Sequence, residues 1–592
     1  MCALITSYNE RHWCIDLERI HSRIRSLLRP TYTHATPLTS LYFASTPFKL
    51  YTYTRLPCVV DSDEMATDGG MIEGTKPTTE ATRGKDDQEG QPKVPEKTGN
   101  PALMLSREDV GLLGITATGN FLDAYDYFII NPVSTMIQYE LFAGNTLPPR
   151  LEGYLKSGAL IGSVLGQLLF GYLGDAFGRK AIYGKELLTV IIGTILCLST
   201  PTGVLSPSNS LIYLASFRII VGIGIGGDYP MSSSITTDRT APWKRGTVLA
   251  YIVAMQGWGS LVGSLVAIIV LAAYKHVIND NGEVNKLDAV WRITIGLSLV
   301  PAFATIYQRL TLPEPPLHSA VRRRYVNIPL NSTTATAELH GESDEKMETE
   351  DVSVPADDTQ KKAHMREFLE YLSEWKHAKH LIGTCLSWFL TNIAFFGVNL
   401  NQNFVLEQIG FQGTIGTPWQ KLFRVATGSL IITVLGFLPG YYFTVFTIHR
   451  LGRKWIQVQG ALMTALFLAI LAAKFHSLGK AGFIVCFTLL QFFFNFGANM
   501  TIYIIPAELF PSRYRAFAHG ISAASGRCGA IISSLVFNQL SKSAGTPVIL
   551  WIFFAVSLLT VVVTLVFLPE TNGRDADVIF EKEMQEKDAR AA

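Results

Sequence analysis

Charge is scarce in this chain. Only 17% of its 592 residues are Asp, Glu, Lys or Arg, against 48% hydrophobic residues. A water-soluble core that apolar would alternate with polar faces. Here apolar runs of about 20 residues recur instead, each long enough to span a bilayer. Cysteine is sparse too: Cys2, Cys14, Cys58, Cys197, Cys385, Cys486 and Cys528 have no paired spacing, which argues against a disulfide framework or a cysteine metal site. Four of them fall in apolar segments and read as buried free thiols. No metal-ligand cluster and no nucleophile–base set stands out, so neither an enzyme nor a metal or other cofactor is expected. The formal net charge is +2, and the basic residues sit in short loops rather than on one stripe, so nucleic acid is not an expected partner.

What is present is a pattern of spans. From residue 109 six apolar segments follow one another: 109–133, 152–174, 182–200, 211–236, 247–273 and 291–311. Six more occupy 379–400, 425–447, 456–474, 482–506, 514–538 and 547–568. The expectation is an all-α membrane protein of about twelve transmembrane helices in two six-helix halves, 109–311 and 379–568, with a site at the midplane between them. A polar stretch, 312–378, reads as a cytoplasmic linker and flexible tether. Residues 569–592 read as a C-terminal tail and 1–108 as a disordered N-terminal one. The first 64 residues are oddly aromatic and basic, without the apolar run of a cleavable signal peptide. Two readings stay open there: a genuine segment, or a gene-boundary artefact with translation starting at Met65 or Met71.

Loop charge orients the spans. Loops after even-numbered spans carry Arg179, Lys180 and Lys185; Arg239, Lys244 and Arg245; Arg450, Arg453 and Lys454; and Arg513 and Arg515. Loops after odd-numbered spans are poorer in Lys and Arg, though Lys275 and Lys421 make the bias incomplete. The positive-inside rule then places both termini and the linker in the cytoplasm. Asn331-Ser-Thr matches a glycosylation acceptor but faces the cytosol on that topology.

Ionisable residues inside a membrane are costly and are functional candidates by default. The fourth span reads RIIVGIGIGGDYPMSSSITTD, carrying Arg218 and Asp228 into an apolar layer. Ten positions apart, they are too distant to pair along one helix, so each needs a partner elsewhere. Gly222–Gly227 follows no strand and lacks a Lys-Ser/Thr, so a packing role for these glycines is the better reading than a nucleotide loop. The first span holds Asp123 and Asp126 about one turn apart, a pair that resists double ionisation and suits proton uptake and release. At span ends, Gly171-Tyr-Leu-Gly-Asp175-Ala-Phe-Gly-Arg179-Lys180 closes the second span. A weaker copy, ending His449-Arg450-Leu-Gly-Arg453-Lys454, closes the eighth.

These two turns, with Pro506-Ala-Glu508-Leu-Phe-Pro-Ser-Arg513 and Pro569-Glu-Thr, resemble the cytoplasmic loop motifs of the major facilitator superfamily. There they gate the inner face, which implies that role for Gly171, Asp175, Arg179, Arg450, Arg453, Glu508 and Arg513. GIGIGGDYPMSSSITTD, FLDAYDYFIIN (121–131), MQGWGSLVG (255–263), WRI (291–293) and PAELFPSRYR (506–515) resemble more specifically the superfamily's phosphate:proton symporters, the fungal high-affinity and plant phosphate transporters. The likeness covers about residues 109–573. It implies a phosphate site of Tyr229, Gln256, Trp388 and Asn499, with Asn392, Phe396 and Arg527 at further site positions, and proton-pathway or salt-bridge roles for Asp123, Asp126, Asp228 and Arg218. Tyr, Gln, Asn and Trp supply donors that suit an oxyanion.

Three of those positions depart from the family: Asn392 stands where an Asp is expected, Phe396 where a Tyr is expected, and Arg527 where a Lys is expected. Asn392 cannot titrate, and Arg527 cannot readily lose its proton but can grip an oxyanion bidentately. The resemblance therefore implies proton-coupled import of inorganic phosphate by alternating access at the plasma membrane, by a chain functional as a monomer in the lipid bilayer. A proton symporter of organic phosphate esters and a slow-turnover phosphate sensor stay open as alternatives.

Overall fold

The computed structural model describes residues 102, 104–145, 147–313, 358–402, 406 and 416–591. They lie within one compact unit, Lys93–Ala592. The 1–64 segment and Asn331 fall outside the described residues.

Every regular element among the described residues is helical. Helix α1 (Arg107–Phe128) runs on through Ile129 into Ile130–Leu141. There follow α2 (Pro149–Phe177), α3 (Arg179–Leu198), α4 (Pro207–Arg239), α5 (Pro242–Ala273) and α6 (Val284–Leu310). After α7 (Asp358–Ser373) come α8 (Trp375–Asn399), α9 (Pro418–Leu451), α10 (Arg453–Lys474) and α11 (Lys480–Leu509). The chain ends with α12 (Arg515–Ala544), α13 (Thr546–Phe567) and α14 (Ala576–Ala591). Eleven of the described helices are long and apolar enough to cross a membrane. Helix α1 is the exception by composition, because its buried face carries Asn120, Asp123 and Asp126. Its Ser106–Asp109 capping box satisfies the first backbone donors of the helix.

The glycines of α4 do pack. A Cβ on Gly222 would sit 2.0 Å from Ala159 O, and one on Gly226 would sit 2.3 Å from Ser163 O. Only a residue without a side chain lets α4 lie this close along α2. Pro230 is accommodated inside α4, where Ser233 and Ser234 hydroxyls donate to its carbonyl at 3.1 and 2.6 Å.

Two helices lie where the sequence reading had only a flexible linker and a tail. Helix α7 buries Phe368 and packs Tyr371 and Leu372 against Phe510, Tyr514 and Phe517, and α14 brings Phe580 into the same cluster. Arg513 donates to Glu367 of α7 at 2.7 Å. Composition hid these helices, since each is polar overall and is held by one short apolar edge.

Within this docking surface His364 is buried, between the rings of Tyr172 (5.9 Å) and Tyr514 (5.7 Å), and neither ring nitrogen has a hydrogen-bond partner among the described residues. Burial pushes its pKa below the ordinary 6.5. An undocked α7 would therefore take up the proton more readily than the docked one. Docking is at full strength above the free value and weakens as pH falls through about 6.5 and below. Amide hydrogen exchange over 358–373 in the purified protein is expected to speed up between pH 7.5 and 5.5, beyond the intrinsic pH effect. His364→Phe is expected to remove that excess.

Candidate functional site

Between the two sets of six spans lies a narrow cavity. Its lining includes Tyr229, Gln256, Trp388, Asn392, Phe396, Asn499 and Arg527, so all seven candidate substrate positions face one space. They come from five helices: α4, α5, α8, α11 and α12. A hydrogen-bonded chain ties the halves together across it. Gln256 Nε2 donates to Tyr229 Oη at 2.8 Å and Tyr441 Oη donates to Gln256 Oε1 at 3.2 Å. Asn499 Nδ2 in turn donates to Tyr441 Oη at 2.8 Å. Tyr441, on α9, was absent from the sequence expectation.

Arg527 occupies an aromatic cage. Its guanidinium carbon lies 4.6 Å from the Tyr127 ring centre, 4.7 Å from that of Tyr229 and 5.0 Å from that of Phe396. Ring faces attract a cation but satisfy none of its N–H bonds in-plane. Among the described residues Arg527 Nε and Nη2 have no hydrogen-bond partner, and neither does Asn392 Nδ2. The side chain of Arg527 is 2% exposed. A buried cation with idle donors is costly unless an acceptor arrives. Gly526, just before it, faces Trp388 and Asn392 so closely that a Cβ there would lie 2.3 Å from the Trp388 ring and 2.9 Å from Asn392 Nδ2. Its missing side chain lets α12 bring Arg527 into the cavity.

The four proton-pathway candidates lie beside this cavity, deep in the N-terminal spans, and are all buried. Arg218 and Asp228 do find partners on other spans. Arg218 Nη2 donates to the Asp126 carbonyl at 3.1 Å. Asp228 pairs with Arg309 of α6, and Ser232 Oγ donates to the same carboxylate oxygen at 3.0 Å. Arg309 Nη1 also reaches Glu186 of α3 at 3.3 Å. Arg309 and Glu186 were missed in the sequence. Each lies near a span end, where Glu186 reads as part of a Lys-Glu loop and Arg309 as a basic flank. The available signal was the need of Asp228 for a counter-charge. Four carboxyls (Asp123, Asp126, Glu186, Asp228) and three guanidiniums (Arg218, Arg309, Arg527) are thus buried together, one carboxyl more than the permanent cations can balance. One oxygen of each of the four has no hydrogen-bond partner among the described residues.

At the face with the basic turns, Asp175 pairs with Arg179 and also accepts from the backbone of Ala516 (3.3 Å) and Phe517 (2.7 Å), at the N-terminus of α12. That is where a helix dipole favours a carboxylate. Arg179 donates to Asp238 at 3.1 Å and to Ser512 O at 3.0 Å, so this cluster crosses between the halves. Gly171 faces the backbone of Ala516 so closely that a Cβ there would lie 2.8 Å from the Ala516 carbonyl oxygen. Arg515 pairs with Asp238 and, at 2.7 Å, with Asp577 of α14. In the second half Arg453 pairs with Glu508 at 2.7 Å, and Thr571 Oγ1 donates to Glu508 at 2.6 Å. Arg513 pairs with Glu367 as above, whereas Arg450 is solvent-exposed. At the opposite face Asn131 Nδ2 donates to Asn399 O at 2.8 Å and Lys156 Nζ to Asn401 Oδ1 at 3.1 Å. Trp419 Nε1 donates to Leu271 O at 2.7 Å. The halves are bridged above and below the cavity.

The chain matches the family model described as "Sugar (and other) transporter" over residues 112–581. A Schizosaccharomyces pombe chain provisionally named an inorganic phosphate transporter is 41% identical, over 81% of this chain and 90% of that one. The inorganic phosphate transporter PHO84 of Saccharomyces cerevisiae is 38% identical, over 80% of this chain and 84% of its own length. Among solved structures, the proton:xylose symporter XylE bound to 6-bromo-6-deoxy-D-glucose superposes with a TM-score of 0.60 at 19% identity, covering 80% of this chain and 98% of that one. The chain belongs to the sugar (and other) transporter family of the major facilitator superfamily, in the group that contains these named phosphate transporters.

Proposed function

We propose that this membrane transporter imports inorganic phosphate together with protons by alternating access. The observation that carries the reading is the narrow cavity between the halves in which Arg527 and Asn392 hold idle N–H donors beside Tyr229, Gln256, Trp388 and Asn499. The relatives' names supply the substrate class. Phosphate would take its donors from Arg527, Asn392 and the amide–phenol chain, an arrangement suited to an oxyanion.

Importing an anion against an inside-negative potential costs about 2.3 kcal/mol per charge per 100 mV, so cotransported protons are needed to offset it. The carboxyl in excess over the buried guanidiniums is the group that would carry one. The ion-pair clusters at the basic face would close the inner side and separate as it opens. The loop charges support cytoplasmic termini, and the family supports a plasma-membrane location for a monomer working within the bilayer.

The test is uptake of labelled phosphate into cells lacking their own phosphate transporters, across external pH, with a protonophore control. Saturable uptake that rises as pH falls and collapses with the protonophore is expected; no uptake at any pH would defeat the reading. Asn392→Asp places a carboxylate beside Arg527. It should raise the KM for phosphate about three- to tenfold at neutral pH and steepen the loss of uptake with rising pH, because the added carboxylate repels the anion unless protonated. Unchanged KM and pH profile would show that Asn392 does not face the substrate.

A further inference from the structure

Between the Arg527 cage and the basic face the halves meet along α2 and α12. Their backbones nearly touch there. A Cβ on Gly520 would lie 2.4 Å from the Gln167 carbonyl oxygen, and one on Gly171 would lie 2.8 Å from that of Ala516. Leu165, Leu168 and Leu169 of α2 are exposed on the outer surface, so Gln167 lies on the inward face of that helix, where it is fully buried. One turn before it, Ser163 Oγ meets the hydroxyl of Tyr127, whose ring faces Arg527. Two turns after it comes Asp175 of the basic-face ion pairs. The helix rise sets Gln167 about 6 Å from the level of Ser163 and about 12 Å from that of Asp175.

The Gln167 amide is idle at both ends. Neither Nε2 nor Oε1 has a hydrogen-bond partner among the described residues. Between Ser163 and Asp175 the only other polar side chain on α2 is Tyr172, whose ring packs on that of Phe517 at 5.4 Å. Over the same stretch of α12 the polar groups are turned to the C-terminal spans and engaged there. His519 Nε2 lies 3.1 Å from Tyr503 O and Ser522 Oγ 2.8 Å from Thr384 Oγ1, and Ser525 Oγ donates to Cys385 O at 3.2 Å. A buried amide with a free donor and a free acceptor is costly in the closed protein. It becomes favourable in a conformation that brings it a partner able both to accept and to donate. Phosphate that still holds a proton is such a partner: its bare oxygens accept from Nε2 and its P–O–H donates to Oε1. A neutral amide also holds an anion less tightly than a guanidinium does, as a station on the way out must.

We propose that Gln167 is a release-side ligand of the transported phosphate, met after the anion leaves Arg527 and before it passes the separated ion pairs of the basic face. Opening that face parts α2 from α12 and uncovers the amide between them. The inference rests on the alternating-access reading of the central cavity and adds a second, transient anion position to it.

The test compares the full wild-type chain with Gln167→Met, similar in length and without the amide, in cells lacking their own phosphate transporters. Vmax per surface transporter should fall about fivefold, the scale of one lost hydrogen bond. The KM for external phosphate should not rise, because the central donors are untouched. The purified variant should melt no lower than the wild type, since no bond within the closed protein is lost. Gln167→Glu in proteoliposomes should be slower still, and acidifying the cytoplasmic side should restore it more than it restores Gln167→Met, because a carboxylate repels the departing anion until it is protonated. Wild-type Vmax in Gln167→Met would overturn the inference, and so would a raised external KM, which would put Gln167 at the central site. A lowered melting temperature with equal slowing of both variants at every pH would make the residue structural and overturn it too. Each of these results leaves wild-type uptake intact and spares the function proposed above; absence of uptake by the wild-type chain removes both readings.

Discussion

Phosphate uptake falls by about 100-fold or more when Arg527 is replaced by methionine, because two charge-assisted hydrogen bonds worth roughly 1.5–3 kcal/mol each are lost at once. The geometry gives the prediction its force. The guanidinium is already desolvated among Tyr127, Tyr229 and Phe396, and its Nε and Nη2 are idle. It can gain those bonds on anion binding without losing equivalent bonds within the protein. Arg527→Lys keeps the charge and loses the planar fork, so a smaller loss of about tenfold is expected. The folded protein should not suffer in parallel. Arg527 has no ion-pair partner among the described residues, so the desolvation penalty lifted by Arg527→Met offsets the lost ring contacts and the lost balance to the buried carboxyls, and the variant is expected to melt close to the wild-type temperature. Labelled-phosphate uptake normalised to surface protein, with a thermal-shift measurement on the purified variant, reads both effects. A methionine variant that keeps more than a tenth of wild-type uptake would show that Arg527 is not a substrate ligand.

How far the sequence reached differs from place to place, for physical reasons. A stretch of about 20 apolar residues has few ways to satisfy its backbone in lipid, so the spans after the first could be read from hydropathy. The first could not be read as securely on that criterion, since Asp123 and Asp126 make α1 unlike the other eleven. The positions around the central cavity came from motif resemblance, and the fold brings Tyr229, Gln256, Trp388, Asn392, Phe396, Asn499 and Arg527 into one space. No periodicity could have done that, because they lie on five helices drawn from both halves. Partners proved harder to read than candidates. Asp228 declared its need for a counter-charge, but nothing local distinguished Arg309 from the basic residues that normally flank a span. Tyr441 looked like one aromatic among many in FLPGYYFTVF. Helices α7 and α14 were missed because their stability comes from a few contacts with Phe510, Tyr514 and Phe517, a tertiary effect that composition does not carry.

The Asp228–Arg309–Glu186 group sets the second large effect. Arg309→Met leaves two carboxylates facing each other in a buried space with their cation gone, and removing one partner of a buried ion pair costs about 3–5 kcal/mol. Poor folding and low surface expression are therefore expected from that variant alone. The double variant Arg309→Met, Asp228→Asn removes the stranded charge along with the cation, so expression should return, with Glu186 free to stay protonated. Transport then separates the structural role of the group from its role in coupling. If Asp228 carries the proton, the double variant should exchange labelled for unlabelled phosphate across the membrane yet fail to accumulate it against a gradient, and its exchange should be flat in pH. Asp228→Asn alone keeps Arg309 against Glu186 and should give the same flat profile without the loss of expression. Glu186→Gln, which leaves the short Arg309–Asp228 contact in place, should retain pH-driven accumulation. A double variant that accumulates phosphate with wild-type pH dependence would move proton coupling away from this group, leaving Asp123 and Asp126 on the first span to carry it.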